Sequence, residues 1–562
     1  MGSSDTVPTN ETPDAHGAYP RLSDQQIEIL AECGERRQVR SGEVLFREGH
    51  PCSQFFVVLS GKVAIIEGYE VDEHVLRVHG PRRFLGELAL LEGQNAFFTA
   101  VVVEDGEVLV VEVSELRGIL AREPSLGDLI LRAYLLRRSE LVGQGTGFRI
   151  IGSGFSPDTR RLLEFAARNR LPHRWIDLER DRNAEALLKR LGVPTSDTPI
   201  VVLNSIQVLR NPDNAQLARA IGMRSAVPNS RVCDLLVIGA GPAGLAAAVY
   251  GASEGLSTGV LEEVATGGQA ATSSRIENYL GFPTGVSGAE LAERAVVQAA
   301  RFGAGITVPA RAMALERKDD HYVVSLDEDS ARGRTIVLAT GARYRRLNVP
   351  GITELEGLGV YYAATVVEAR RCRADPVAVV GGGNSAGQAA LFLTRQVPRV
   401  YLLVRGDDLS ANMSRYLVDR IEQHPGIEVL PRTEVREVTG TRSVESVTVE
   451  NNHTGDVHRL PVHALFIFIG AVPCTRWLED TVALDSHGFV STGQETIANA
   501  HENEWNYLDR TPMALETNRP GVFAVGDVRS GSIKRVASAI GEGAMAVRLI
   551  HERLREVGAA NS

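Results

Sequence analysis

The chain has 562 residues, a formal net charge of −10, 44% hydrophobic residues and 23% charged ones. That length exceeds what a single hydrophobic core supports and implies three or more domains. The acidic balance leaves no footprint for nucleic acid or for a membrane surface, and five scattered cysteines with no CxxC exclude a local metal or dithiol motif and fit a reducing cytoplasm.

Residues 1–20 are mostly polar and lack an apolar core of the signal-peptide kind, so a disordered tail is expected, with neither leader nor anchor. From Arg21 to about residue 145 short apolar runs alternate with glycine: Val44 to Phe46, Phe55 to Leu59, Lys62 to Ile66, Val101 to Val103 and Val108 to Val113. They predict a small β-roll, flanked by helices over Asp24 to Glu32 and Ser114 to Glu140. No helix-turn-helix precedes it, which argues against a transcription factor.

This ordering, with Gly42, Gly49 and Gly61 at turns and the segment Phe84-Leu-Gly-Glu-Leu-Ala-Leu-Leu91, resembles a cyclic-nucleotide-binding domain. The resemblance implies an effector cassette around Gly86 and Glu87, the glutamate holding a ribose hydroxyl. It also implies an arginine for the cyclic phosphate, but Ala96 stands at that position, and the charge-assisted contact that selects a phosphodiester is missing. A cyclic nucleotide, another small effector and a ligand-free docking surface all stay open.

Residues 146–224 alternate strand and helix patterns: Phe148 to Gly152, Thr159 to Arg168, His173 to Leu178, Ala184 to Leu191, Ile200 to Leu203 and Asn214 to Ile221. The unit resembles a thioredoxin or glutaredoxin fold, with Thr198-Pro199 as its cis-proline turn. Ser156-Pro-Asp-Thr159 replaces the CxxC of an active member, so no thiolate forms there and a spacer or docking module is expected. Residues 225–230 read as a linker.

The stretch Val237-Ile-Gly-Ala-Gly-Pro-Ala-Gly244 has the order of a buried strand, a glycine turn and a helix. Gly239 suits the tight turn, Gly241 the approach of a pyrophosphate, and Gly244 the packing of helix on strand; Glu262, about 20 residues on, suits ribose hydroxyls. The uncharged run Leu235 to Ala252 could be scored as a membrane span, but the glycines and the proline concentrated at its centre, with the acid following, favour a dinucleotide cradle. A second cradle, Val377-Ala-Val-Val-Gly-Gly-Gly-Asn-Ser-Ala-Gly387, places Gly381, Gly383 and Ala386 at its three turn positions. There Arg405 occupies the ribose position, which suits a 2′-phosphate and NADPH, with NADH still possible because Gly406 and Ser410 add no further charge.

Between and after the cradles, Ala265-Thr-Gly-Gly-Gln-Ala-Ala-Thr272, Asn278, Ile336-Val-Leu-Ala-Thr-Gly341 and Pro520-Gly-Val-Phe-Ala-Val-Gly-Asp527 complete a resemblance to low-molecular-weight thioredoxin reductases, within the class II pyridine nucleotide-disulfide oxidoreductases. It covers essentially all of residues 231–562. It implies FAD held by Gly239, Gly241, Gly244, Glu262, Gly267, Gly268, Gln269, Asn278, Gly526, Asp527, Lys534, Arg535 and Val536, with a helix starting near Lys534 whose N-terminal dipole faces the flavin. An FAD domain over 231–345 and 470–562 and an NAD(P)H domain over 346–469 follow, the latter able to swivel, and a homodimer is expected. The whole chain resembles a fusion of a cyclic-nucleotide-binding-like domain to such a reductase.

The family's Cys-Ala-Thr-Cys is absent. Ala363 and Val366 stand in the two cysteine positions, and Cys372 nearby is expected to be a structural thiol. The fold class is thus multidomain: β-roll, thioredoxin-like α/β unit, and two Rossmann-like α/β domains. The expected activity is transfer of hydride from NAD(P)H to FAD and onward to an unidentified acceptor, such as a ferredoxin or flavodoxin, without a catalytic residue being identified. Disulfide reduction through other thiols and a non-catalytic flavin sensor are the alternatives.

Overall fold

The computed structural model describes residues 10–14, 16–70, 73–86, 95–204, 207–223, 232–273, 275–276, 278–327, 329–362, 364, 368–369, 372, 375–499, 505, 508 and 510–558. The chain divides into two compact units. One comprises 1–228 with 262–265 and 300–310, and the other comprises 229–261, 266–299 and 311–562.

The first unit opens with α1 (Asp24–Ala31), capped by Ser23 and Gln26 in a reciprocal capping box. Strands β1 (Glu35–Val39), β2 (Val44–Phe46), β3 (Gln54–Glu67), β4 (His74–His79), β5 (Phe84–Leu85) and β6 (Thr99–Glu112) form an antiparallel roll of order β1-β6-β3-β4, with β2 on β6 and β5 on β3. The runs expected as separate strands are two continuous strands, β3 and β6, of 14 residues each. Their register shifts around Ser60 and Lys62 absorb the bends. Gly61 takes φ +77°, and a Cβ on Gly106 would lie 2.1 Å from the Ser60 carbonyl, so these glycines kink paired strands, at Gly61 where a turn was expected.

A single helix expected over Ser114 to Glu140 is two, α2 (Val113–Arg122) and α3 (Pro124–Gln144). Pro124 has no N–H to continue α2 and forces Glu123 to φ −116°, ψ 80°, yet it suits the first turn of α3.

The α/β part of this unit comprises β7 (Phe148–Gly152), α4 (Pro157–Arg168), β8 (His173–Asp177), α5 (Ala184–Arg190), β9 (Ile200–Leu203), β10 (Gln207–Arg210) and α6 (Asn214–Ala220), with sheet order β10-β9-β7-β8. Strand β10 was not expected, because this short edge strand is half exposed and carries no alternation of its own. The Thr198–Pro199 peptide is cis. Phe97, on the approach to β6, packs into the core formed by Phe148, Ile150, Leu162 and Leu217, while the Asn95 N–H donates to the Ile221 carbonyl at 3.2 Å.

In the second unit β11 (Val232–Ile238), α7 (Pro242–Ser253), β12 (Thr258–Leu261), β13 (Ala312–Lys318), β14 (His321–Leu326) and β15 (Ser330–Leu338) build a sheet in which β12, β11, β15, β14 and β13 lie side by side. Strand β11 runs parallel to both β12 and β15. The run that could have been scored as a membrane span is thereby divided between a strand and a helix; among the described residues no helix is long and apolar enough to cross a membrane. A second, all-parallel sheet has the order β16 (Val360–Tyr361), β20 (Ala464–Ile467), β17 (Val377–Val380), β18 (Val400–Leu403) and β19 (Ile427–Leu430), with α8 (Asn384–Leu393) following β17. The chain passes between the two sheets through the paired segments Ala342–Tyr344 and Ala471–Pro473. It then returns as β21 (Val522–Ala524), parallel to β15, and ends in α9 (Val536–Glu556).

Helix α9 packs on α7 at very short range. A Cβ on Gly543 would lie 2.2 Å from the Ala243 carbonyl and 3.0 Å from the Ala246 Cβ. Gly543→Ala is therefore expected to cost about 1–3 kcal/mol, read as a lower unfolding midpoint in guanidinium; an unchanged midpoint would mean that the helices can move apart freely.

Candidate functional site

The first cradle follows from the three glycines of the β11–α7 turn, each used differently. Gly239 has φ +104°, and its N–H donates to the Leu261 carbonyl at 2.7 Å, tying the turn to the end of β12. Gly244 packs so closely that a Cβ would lie 1.9 Å from the Gly239 carbonyl. By contrast, a Cβ on Gly241 would meet only the Gly268 Cα, at 4.0 Å. That position needs glycine for no internal contact; its open side is where a phosphate could approach the first N–H groups of α7.

Gly267 and Gly268 fold onto this turn. Both have positive φ, the Gly267 N–H donates to the Ala240 carbonyl at 2.7 Å, and Gly268 lies over Gly241. Gln269 belongs to the 3₁₀ turn Gly268–Thr272, and Asn278 is exposed in a turn beyond it. Glu262 comes immediately after β12, and its carboxylate is held by the N–H groups of Val264 and Ala265 at 3.0 and 3.3 Å.

The C-terminal motif lies against the same helix: a Cβ on Gly526 would be 2.8 Å from the Ala243 Cβ. Its N–H donates to Glu542 of α9 at 2.6 Å, and Glu542 also accepts from Arg529 at 2.7 Å. Glu542 escaped the sequence reading, although an acid within the first two turns of the helix after Gly-Asp was the available signal. Asp527 beside it is half-buried, and its carboxylate accepts no hydrogen bond from the described residues. Burial pushes its carboxyl above the ordinary range, Lys534 opposes the rise, and Glu542 adds to it. Such a group is suited to hydroxyl donors from a ligand. Lys534 holds the turn by donating to the Asp527 carbonyl at 2.7 Å, with its ammonium 4.3 Å from the Phe489 ring centre. The helix itself begins at Val536, with Arg535 as N-cap, two residues later than expected.

The second cradle repeats the arrangement. Gly381 has φ +142°, donates to the Leu403 carbonyl at 3.0 Å and would place a Cβ 2.3 Å from the Phe468 carbonyl. Gly383 caps α8 with an open approach, a Cβ there meeting only the Asn412 carbonyl at 3.8 Å, and Ala386 is buried beneath the turn. Arg405 is exposed just beyond β18. The neighbouring Asp407 is engaged by Arg432 at 2.6 Å, which offsets its negative charge beside Arg405.

Glu87, Ala363 and Val366 lie outside the described residues. Cys372 is 4% exposed, and its thiol donates to the Glu368 carbonyl at 3.2 Å. Burial of this kind suits a packing thiol more than a nucleophile.

The two cradles and the Gly526-Asp527 turn fall within residues 233–543, which match the family model for pyridine nucleotide-disulphide oxidoreductases. The chain belongs to that family. A second model, for cyclic nucleotide-binding domains, matches residues 36–123. A thioredoxin reductase of Treponema pallidum is 35% identical over 313 residues, 56% of this chain and 94% of its own length. The "34.2 kDa protein in rubredoxin operon" of Clostridium pasteurianum is 32% identical with the same coverage. Among solved structures, Lactococcus lactis thioredoxin reductase superposes with a TM-score of 0.52 at 29% identity, covering 58% of this chain and 99% of that one. The family and the β-roll together make this a multidomain oxidoreductase fold with an N-terminal cyclic-nucleotide-binding domain.

An aspartate with a raised folded pKa holds its proton more firmly folded than unfolded. Its contribution therefore favours folding at low pH and is lost as pH rises through that pKa. Asp527→Asn is expected to raise the melting temperature of flavin-stripped protein at neutral pH and to lower flavin occupancy. Thermal melts of stripped and reconstituted protein would read both, and an unchanged occupancy would remove Asp527 from the site.

Proposed function

We propose that this oxidoreductase uses FAD at the first cradle and NAD(P)H at the second, and passes electrons to an acceptor outside the chain without an internal dithiol. One observation supports the reading: the approaches at Gly241 and Gly383 are open at two strand-to-helix turns, and the Asp527 carboxylate beside the first accepts no hydrogen bond from the described residues, whereas the resemblance puts Ala363 and Val366 where a disulfide reductase has cysteines. When bound, FAD supplies the chemistry that accepts a hydride from a reduced nicotinamide and can release electrons singly.

The protein's own part is positional. The first N–H groups of α7 and α8 would hold the two pyrophosphates, Glu262 a ribose, and Asp527 the hydroxyl chain that links phosphate to flavin. The start of α9, at Arg535 and Val536, would direct the positive end of a 21-residue helix at the bound ring. Arg405 would pair with a 2′-phosphate, favouring NADPH over NADH. A one-electron carrier of the ferredoxin or flavodoxin kind is the acceptor class that needs no dithiol. An effector held by the β-roll would regulate turnover if it bound the protein's working conformations unequally.

Anaerobic stopped-flow reduction by NADPH and by NADH, followed by mixing with ferredoxin, thioredoxin or quinone, tests the scheme. Fast reduction with discharge to ferredoxin and none to thioredoxin is expected. Thioredoxin-dependent turnover that disappears in Cys372→Ser would instead establish a disulfide reductase, and flavin that no nicotinamide reduces would establish a non-catalytic sensor. Arg405→Ala is expected to raise KM for NADPH about tenfold while leaving KM for NADH within about twofold; equal effects on both would assign the site to NADH.

A further inference from the structure

The β-roll, with Tyr19 and α3, lines a partly open cavity in which about 70 Å³ is accessible to the centre of a water molecule. At about 10–15 Å³ per water centre this accommodates roughly five to seven waters, or on the order of 150–200 Å³ of displaced liquid. That is room for one aromatic ring with a short substituent.

Most of the wall is apolar, including Phe46, Ile65, Leu76, Leu85 and Phe98. The region expected to meet a cyclic phosphate offers no donor at Ala96. Its N–H is donated to the His50 carbonyl at 2.9 Å, and its carbonyl accepts from Gly49 at 2.7 Å.

Among the described residues that line it, Asn95 is polar and the remaining polarity is gathered in the cluster of Tyr19, Arg77, His79 and Arg137. His79 is 3% exposed and its Nδ1 has no hydrogen-bond partner, an arrangement that costs stability unless something supplies a partner. Its imidazole stays neutral, driven well below the ordinary range by burial and then by Arg137, Arg83 and Arg77. These cations are rigidly placed. The Arg137 guanidinium stacks 4.6 Å from the Phe84 ring centre and 5.0 Å from that of Tyr19, while donating to the Ala18 and Phe84 carbonyls. Arg77 donates to the Tyr19 hydroxyl at 2.6 Å and approaches Glu140 at 3.3 Å. The Tyr19 ring meets His79 edge-on at 5.8 Å. A fixed positive field therefore adjoins an apolar chamber, which favours a ligand with an apolar body and one anionic end.

We infer that the β-roll cavity is a binding site for a small apolar carboxylate, of the size of an arylacetic acid, with its carboxylate toward His79 and the arginine-lined wall.

Isothermal titration calorimetry of the full-length protein with phenylacetate, its uncharged counterpart 2-phenylethanol, and cyclic AMP tests this. Saturable binding of phenylacetate with Kd below about 1 mM is expected, at least tenfold tighter than either of the others. The half-buried Leu76 can be replaced without opening the core, so Leu76→Trp should fill the chamber and abolish the heat. His79→Phe should weaken binding about tenfold with far-ultraviolet circular dichroism unchanged. No saturation by phenylacetate, tighter binding of cyclic AMP, equal binding of 2-phenylethanol, or wild-type affinity in both variants would each overturn the inference.

Discussion

The second unit depends on the contact between α7 and α9. Gly543 lies on the Ala243 carbonyl and Gly526 on the Ala243 Cβ, while within the turn that starts α7 Gly244 lies on the Gly239 carbonyl. Close packing of this kind tolerates no added methyl group, so it fixes where the C-terminal helix and the Gly526-Asp527 turn come to rest against the first nucleotide cradle. Glu542 converts that packing into a polar anchor, taking the Gly526 N–H and the Arg529 guanidinium together. Farther along the returning chain, buried Glu516 accepts from Arg510 and from the Met513 and Gly521 N–H groups, steadying the entry to β21 that carries the same turn.

Much of this was legible in the sequence because glycine at a strand-to-helix turn has few physical uses. Gly239 and Gly381 need positive φ, Gly244 a bare Cα, and Gly241 and Gly383 an open approach, and these demands give both cradles a spacing that survives without any knowledge of the partners. What was not legible depended on contacts made far along the chain. Gly61 read as a turn between two short strands, whereas pairing across β3 and β6 carries the strands through it and through Gly106. The only local sign of Glu542 is an acid within the first two turns of the helix after Gly-Asp, and its acceptor role exists only once α9 lies against the 526–529 turn. The break at Pro124 was legible in principle: the apolar pattern continues across it, and the missing N–H decides the outcome.

The chemistry is shaped by what this chain omits. Ala363 and Val366 stand where the sequence resemblance led one to look for a dithiol, and Cys372 is packed into the core of the second sheet. In the α/β part of the first unit, Ser156 and Thr159 stand at the start of α4, where the serine serves as helix cap, accepting from the Thr159 N–H at 3.3 Å.

Phe97 has one face toward the β-roll cavity and also packs in the core of the α/β part, while Asn95 bonds the end of α6 and Gly147 bonds Glu67 at 2.7 Å. The two parts thus share side chains and backbone bonds across their boundary. Opening either part would expose apolar surface of the other, and the thiol-free α/β part backs the chamber indirectly, by packing behind Phe97, which lines it.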